Sequence, residues 1–408
     1  MAAETTSSRG FTPARRLMAA AFVMDLGVAV IGLSVQFKAR ELGATPLQLG
    51  MLGSFGALSY AVFCLLTGRL SDSWGRRLLA SASCVGCGIV WLIMTQAGSP
   101  AQLLCLVPFS GASIALFWPT LQAWLSQVSA SPSRLTRNIG DFNVSWTIGL
   151  MFGAPVAGLL WGYGQHVPFV FAAAIILLLL VFMQTVRGGN RSSNSAGPEP
   201  MGEAPVDPTL TRQFLYLAWI ANFAAWFSRG LTNVVFPKLA NELGMGERLI
   251  GMVIATFLAG QLLTFIYLRR QSGWQYRLWP LGVALVWAAA GMTVAYFART
   301  PVVFTAGFAM AGMGAGVTYF ASLYYSLQGH VGSRGARSGI HEAVLGSGVF
   351  FGPLAGGAVA NYVDLHTPFL LAAGVFALTA LVISVVWSRT VRRTRADLAL
   401  RASEVTCK

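Results

Sequence analysis

Apolar residues run along this 408-residue chain in long blocks separated by short polar breaks. Twelve blocks can be drawn, at approximately 17–37, 46–67, 78–97, 101–127, 138–161, 167–186, 213–236, 247–268, 278–297, 301–327, 338–360 and 367–387. Each is close to the roughly 20 residues that span a bilayer as a helix. No water reaches backbone amides in the hydrocarbon layer, so every block is predicted to be helical. The one long internal polar stretch, RGGNRSSNSAGPEPMGEAPVDPTLT (187–211), is too poor in apolar residues to order itself. It divides the blocks six and six. The expected organisation is an N-terminal tail (1–16), a six-helix bundle (17–186), a linker (187–211), a second bundle (212–388) and a C-terminal tail (389–408).

Composition sharpens this picture. Hydrophobic residues make up 55% of the chain and charged residues 10%, where a soluble domain carries about a quarter. With the N-terminus inside, 22 of the 28 Lys and Arg fall on inner segments, as the positive-inside rule requires of two cytoplasmic termini. The net charge of +14 is thereby a matter of topology, and nucleic acid is not an expected partner. Residues 1–14 lack the three regions of a signal peptide, so the first helix is read as a retained anchor of a bacterial inner-membrane protein. Cys64, Cys84, Cys87 and Cys105 fall in apolar blocks and Cys407 in the tail. The CVGC pair has no nearby His or acid, so these cysteines read as packing residues. Neither a metal nor a cofactor is expected, and the short loops carry no enzyme motif.

The halves repeat each other. FKARELGATPLQLGML (37–52) aligns with PKLANELGMGERLIGMV (237–253), HVPFVFAA (166–173) with HTPFLLAA (366–373), and GASIALF (111–117) with GAGVTYF (314–320). The offset stays between 199 and 203 residues, which marks a duplicated six-helix unit. Parallel repeats of this kind occur in secondary transporters, with the substrate site between the halves near the midplane.

Between the second and third blocks lies GRLSDSWGRR (68–77). It resembles the signature loop of the major facilitator superfamily, Gly-x-x-x-Asp-x-x-Gly-Arg-Lys/Arg. Gly68, Asp72, Gly75, Arg76 and Arg77 match, and Ser73 departs from the basic residue often found there. The resemblance extends through topology and repeat from about residue 15 to 390. It implies an all-α membrane fold of twelve helices in two pseudo-symmetric bundles. It also implies that this loop latches the cytoplasmic ends together in the outward-open state. Asp141 and Glu342, near the cytoplasmic starts of their helices, are candidate partners for Arg76 or Arg77, or simply acids at helix N-termini. The second half's counterpart, RRQSGWQYR (269–277), keeps Trp274 but has no acid opposite Asp72 and no glycine opposite Gly75. A further resemblance, to the Gly-Pro pattern of exporters in the superfamily, is carried by Gly149, Gly153 and Pro155 and more strictly by Gly348, Gly352, Pro353 and Gly356. Small residues there also suit plain helix packing.

A charge at a helix centre costs about 2.5–3.5 kcal/mol and therefore faces a cavity or a partner. Two residues qualify, Asp25 and Arg229, near equivalent positions of the repeat. Asn222, Trp226, Arg229 and Asn233 share one helical stripe, and Asp25 and Gln36 make the matching stripe on the first helix. Trp118 with Gln122, and Thr318 with Tyr325, add polar and aromatic positions on two more helices. In the superfamily the corresponding helices line the central cavity. Asp25 can carry a coupling proton, pair permanently with Arg229 or bind a cationic substrate, and the sequence does not choose among these. The expected function is transport of a small organic solute by alternating access, working as a monomer, leaning to efflux of amphipathic or aromatic compounds with protons as a candidate coupling ion. The alternatives are an uptake symporter or facilitator for a sugar or organic acid, or a non-transporting scaffold, sensor or lipid carrier.

Overall fold

The computed structural model describes residues 12–44, 46–129, 132–186, 208–271, 273–328 and 334–406. Among them the secondary structure is helical: α1 (Pro13–Glu41), α2 (Pro46–Trp74), α3 (Arg76–Met94), α4 (Pro100–Ala115), α5 (Trp118–Gln127), α6 (Pro132–Trp161), α7 (Val167–Gln184), α8 (Pro208–Glu242), α9 (Glu247–Leu268), α10 (Trp279–Phe297), α11 (Pro301–Leu327), α12 (Arg334–Tyr362) and α13 (Thr367–Thr406). Proline is the first or second residue of ten of them, because a first-turn residue has no intrahelical use for its N–H.

Thirteen helices arise from twelve blocks because the fourth block is broken. Pro119 cannot donate to the carbonyl of Ala115, and the chain leaves α-helical pairing at Leu116 and Phe117 before α5 begins. Ten spans among the described residues are long and apolar enough to cross a membrane. Of the remaining expected spans, α8 carries Asn222, Arg229 and Asn233 along its length, and α9 is an apolar helix of 22 residues. Helix α13 runs to Thr406, so the predicted tail from 389 continues the last helix. Residues 187–207 of the expected linker 187–211 and the start of the N-terminal tail lie outside the described residues, while 208–211 belong to the first turn of α8.

The chain forms two compact units. The first comprises Met1–Val206, Phe265–Ser272 and Ser326–Phe350, and the second Asp207–Thr264, Gly273–Tyr325 and Phe351–Lys408. In the first, α1 crosses α6 where Gly149 and Gly153 lie against the backbone of Phe22 and Leu26 and the side chain of Ala29. A Cβ at either glycine would overlap those atoms. Gly111 of α4 sits in the same way on Gly56 and Tyr60 of α2. In the second unit, Gly352 of α12 meets the Phe227 backbone and Gly356 the Leu231 side chain of α8, while Gly312 of α11 meets Phe257 of α9. Gly111–Gly56 and Gly312–Phe257 recur at an offset of 201, and Gly149–Phe22 and Gly352–Phe227 at offsets of 203 and 205, close to that of the sequence repeat. The glycine crossings are thus duplicated along with the sequence.

Large apolar side chains such as Leu178, Val181, Val302, Leu378 and Leu381 point outward. A soluble protein rarely leaves such surface uncovered. Together with the ten apolar spans, this is a multi-pass membrane protein.

Candidate functional site

The densest polar arrangement in the first unit centres on Glu342. This residue is only 2% exposed. Tyr60 Oη of α2 donates to Glu342 Oε2, and Gln122 Nε2 of α5 donates to Glu342 Oε1. Ser338 Oγ, one helical turn before Glu342, donates to Gln122 Oε1. The spacing of four places Ser338 and Glu342 on one face of α12. His341 Nε2 lies 3.7 Å from Glu342 Oε1. Below this layer Cys64, Ala115 and Ala343 form an apolar cluster on which Tyr60 packs. Gly346 allows α12 its approach, since a Cβ there would meet Tyr60 and Ala61.

A second arrangement involves Asp141 of α6, which accepts a hydrogen bond from Arg269 Nη1 at 2.6 Å. Gly140 makes room for the pair: a side chain there would collide with the stem of Arg269. Arg137, Asp141, Arg269 and Arg270 line a cavity of about 440 Å³. Arg269 had stood in the sequence only as part of the second signature-like loop, and Tyr60 and Ser338 had given no signal at all.

The loop GRLSDSWGRR forms the turn between α2 and α3, with Gly75 at φ +93°. Arg76 is buried and donates to the carbonyl of Ala123 in α5. Arg77 Nη2 donates to the Val186 carbonyl at 2.6 Å, and Arg16 to that of Thr185. Both carbonyls end α7, where unpaired C=O groups attract cations. Gly68 lies within α2, and the Asp72 side chain lies outside what the structure describes.

The mid-helix residues divide between the units. In the first, Asp25 is 8% exposed and Gln36 half-buried. Trp118 packs edge-on to Phe117 and Phe142. Gln122 is drawn into the Glu342 cluster. In the second, the guanidinium of Arg229 lies 4.6 Å from the Trp226 ring, and the Tyr319 ring is tilted against that ring with centroids 6.0 Å apart. Asn222 is fully buried with neither amide atom hydrogen-bonded, while Asn233 is exposed. Thr318 donates to the Ala315 carbonyl of its own helix. Tyr325 Oη accepts from the Tyr276 N–H at 2.8 Å within an aromatic cluster of Phe214, Trp274 and Tyr276. Of the packing residues, Gly348 is buried, Pro155 is exposed and Pro353 half-buried, both prolines within their helices.

Residues 17–217 and 218–405 each match the profile of the Major Facilitator Superfamily. The chain belongs to that superfamily. It is a Major Facilitator Superfamily transporter, and its fold of two pseudo-symmetric helical bundles is that family's. Among its relatives, the quinolone resistance protein NorA of Staphylococcus aureus is 21% identical over 369 residues, covering 87% of this chain and 91% of NorA. An uncharacterised MFS-type transporter of Methanocaldococcus jannaschii is 29% identical over 162 residues, 39% of this chain. That match spans only 42% of the archaeal protein. The crystal structure of the human organic anion transporter TETRAN superposes with a TM-score of 0.70 at 18% identity, covering 91% of this chain and all of that one. The likeness extends to the fold.

Proposed function

We propose that the chain exports amphipathic aromatic solutes across a bacterial inner membrane, with both termini cytoplasmic and protons as the coupling ion. The observation that carries this reading is the stripe on α8. Arg229 is laid over the Trp226 ring, and Asn222 two turns away keeps a buried amide without hydrogen bonds. A buried amide left unpaired costs about 1–3 kcal/mol, a cost that a bound polar group removes. A ring bearing a carboxylate suits this stripe: the ring stacks, the guanidinium takes the anion and the amide completes the contact. The efflux-type relative NorA, named for quinolone resistance, supports the direction.

The Asp141–Arg269 pair and the Glu342 cluster then act as the cytoplasmic gate, made when that side closes and parted when it opens. Arg76 and Arg77 pin the neighbouring turn to α5 and α7, so the latch loop holds its own bundle in shape.

The test is flux of norfloxacin, an aromatic carboxylate, by the purified full-length protein in liposomes. Saturable movement is expected, falling at least about tenfold in Arg229→Gln and in Trp226→Ala, the scale of a desolvated cation–π contact. Movement of a sugar or a simple organic acid in place of norfloxacin would favour the uptake reading. No movement of any solute would return the chain to a scaffold or sensor.

A further inference from the structure

We infer that Glu342 is the carboxyl that binds and releases the coupling proton, held by a ring of Tyr60, Gln122 and Ser338. The inference rests on the transport reading above and moves the coupling site away from Asp25, the carboxyl singled out by the sequence.

The argument begins with what surrounds the carboxyl. Both oxygens accept hydrogen bonds, and both donors are neutral. The titratable groups facing it are Tyr60 and Cys64 from α2 and His341 from its own helix. The neighbours from α5 and α4, Gln122 and Ala115, do not titrate. Asp141 makes the contrast, because it already holds its counter-charge in Arg269. A carboxylate removed from water with neutral donors alone pays several kcal/mol of desolvation. Taking up a proton removes that penalty.

The ring also selects the oxygen. Ser338 donates to Gln122 Oε1 and so turns the amide NH2 toward Glu342. Oε1 must therefore remain an acceptor. The Tyr60 hydroxyl can donate or accept, so Oε2 is the oxygen that takes the proton. The O–H bond forms with a proton from water on one side of the membrane. It breaks when that proton passes to water on the other side, and no electrons change hands. The buried ring favours the protonated carboxyl. Loss of the proton leaves a charge that draws water in and parts α12 from α2 and α5, which couples protonation to opening.

The first test needs no substrate. Infrared difference spectra of the purified full-length protein, between acid and alkaline buffer, report carboxyl bands directly. A carboxyl band that changes between the two buffers is expected in the wild type. It should be absent in Glu342→Gln and shifted in midpoint in Tyr60→Phe. The inference is overturned if the band persists in Glu342→Gln, or vanishes instead in Asp25→Asn or His341→Gln. Should Glu342→Gln fail to fold, an unmoved midpoint in Tyr60→Phe counts against the ring. In liposomes carrying norfloxacin, wild-type flux is expected to rise at least about tenfold under a pH gradient, within the range of ordinary coupling energies. The same ratio should fall to one in Glu342→Gln, and a preserved ratio would refute the assignment. A wild type that moves no norfloxacin defeats the transport reading for that solute, and the infrared band alone then decides the role of Glu342.

Discussion

The turn between α2 and α3 and the turn between α9 and α10 occupy equivalent places in the two halves, and they are anchored by different chemistry. In the first, Trp74 is 62% exposed and Arg76 turns inward to the Ala123 carbonyl. In the second, Trp274 is 6% exposed, packed against Phe320, Tyr324 and Tyr325 with ring centroids 5.6, 5.1 and 6.1 Å away. At repeat offsets of 199 to 203, Ala123 of α5 corresponds to the stretch Ser322–Ser326 of α11, which contains Tyr324 and Tyr325, so both turns are pinned to equivalent stretches. One pin is a guanidinium on a carbonyl and the other a stack of rings. A missing signature motif in the second half is therefore not a missing anchor.

The comparison can be broken most easily at the tryptophans. Trp274→Ala is expected to cost about 3–5 kcal/mol, as loss of a large buried ring does. Trp74→Ala should stay within about 0.5 kcal/mol. Thermal unfolding in detergent measures both, and equal losses would show that the two turns are anchored alike. Next in size, Arg76→Met removes a charge-assisted hydrogen bond and leaves a buried carbonyl, at about 1.5–3 kcal/mol. Tyr325→Phe deletes the acceptor of the Tyr276 amide at a cost of about 1 kcal/mol. Hydrogen exchange should speed at Tyr276 and not at Arg76, and the reverse pattern would undo the assignment.

The smallest effect lies at the opposite end of the repeat. Asp364 accepts from the Thr367 hydroxyl and from the amides of Thr367 and His366 at the start of α13. Its counterpart in the first half is Gly164, and the start of α7 has no side-chain cap. The Thr367 hydroxyl first, and the amides with it, hold the Asp364 carboxyl below the usual carboxylate value. A depressed carboxylate contributes stability above its unfolded pKa, near 4, and loses it as pH falls through the lower folded value. Asp364→Ala should cost about 0.5–1 kcal/mol at neutral pH, and the difference from wild type should vanish in acid. A mutant effect independent of pH would mean that Asp364 acts by something other than charge. The neighbouring His366 ring is held below the usual histidine value, by burial first and then by Arg299.

Spans, repeat and family could be read from the chain because they depend on periodicity and spacing. The glycine crossings could be read as a pattern, and their contacts repeat at nearly the same offset. The site was legible only in part. Glu342 and Asp141 stood out as acids near helix starts, but depth along a helix says nothing of which neighbour a face meets. Glu342 draws its partners from α2 and α5, and Tyr60 looked like any aromatic in an apolar run. Gln122 was assigned to the cavity because its spacing matched Trp118, yet the same spacing also faces it to α12. Arg269 passed as a topology marker, since a loop arginine explains itself by sidedness until an acid is seen beside it. The break between α4 and α5 was written in Pro119, but a proline in a membrane helix bends more often than it interrupts.

Gly75 takes φ +93° with ψ +136°, and Tyr276 takes φ +55° two residues after Trp274. Glycine reaches positive φ freely, whereas a tyrosine must be held there by what surrounds it. Around Tyr276 the rings of Phe214 and Tyr325 and the hydrogen bond from its amide to Tyr325 Oη supply that hold. A search keyed to the glycine would overlook a turn whose positive φ is secured by aromatic packing.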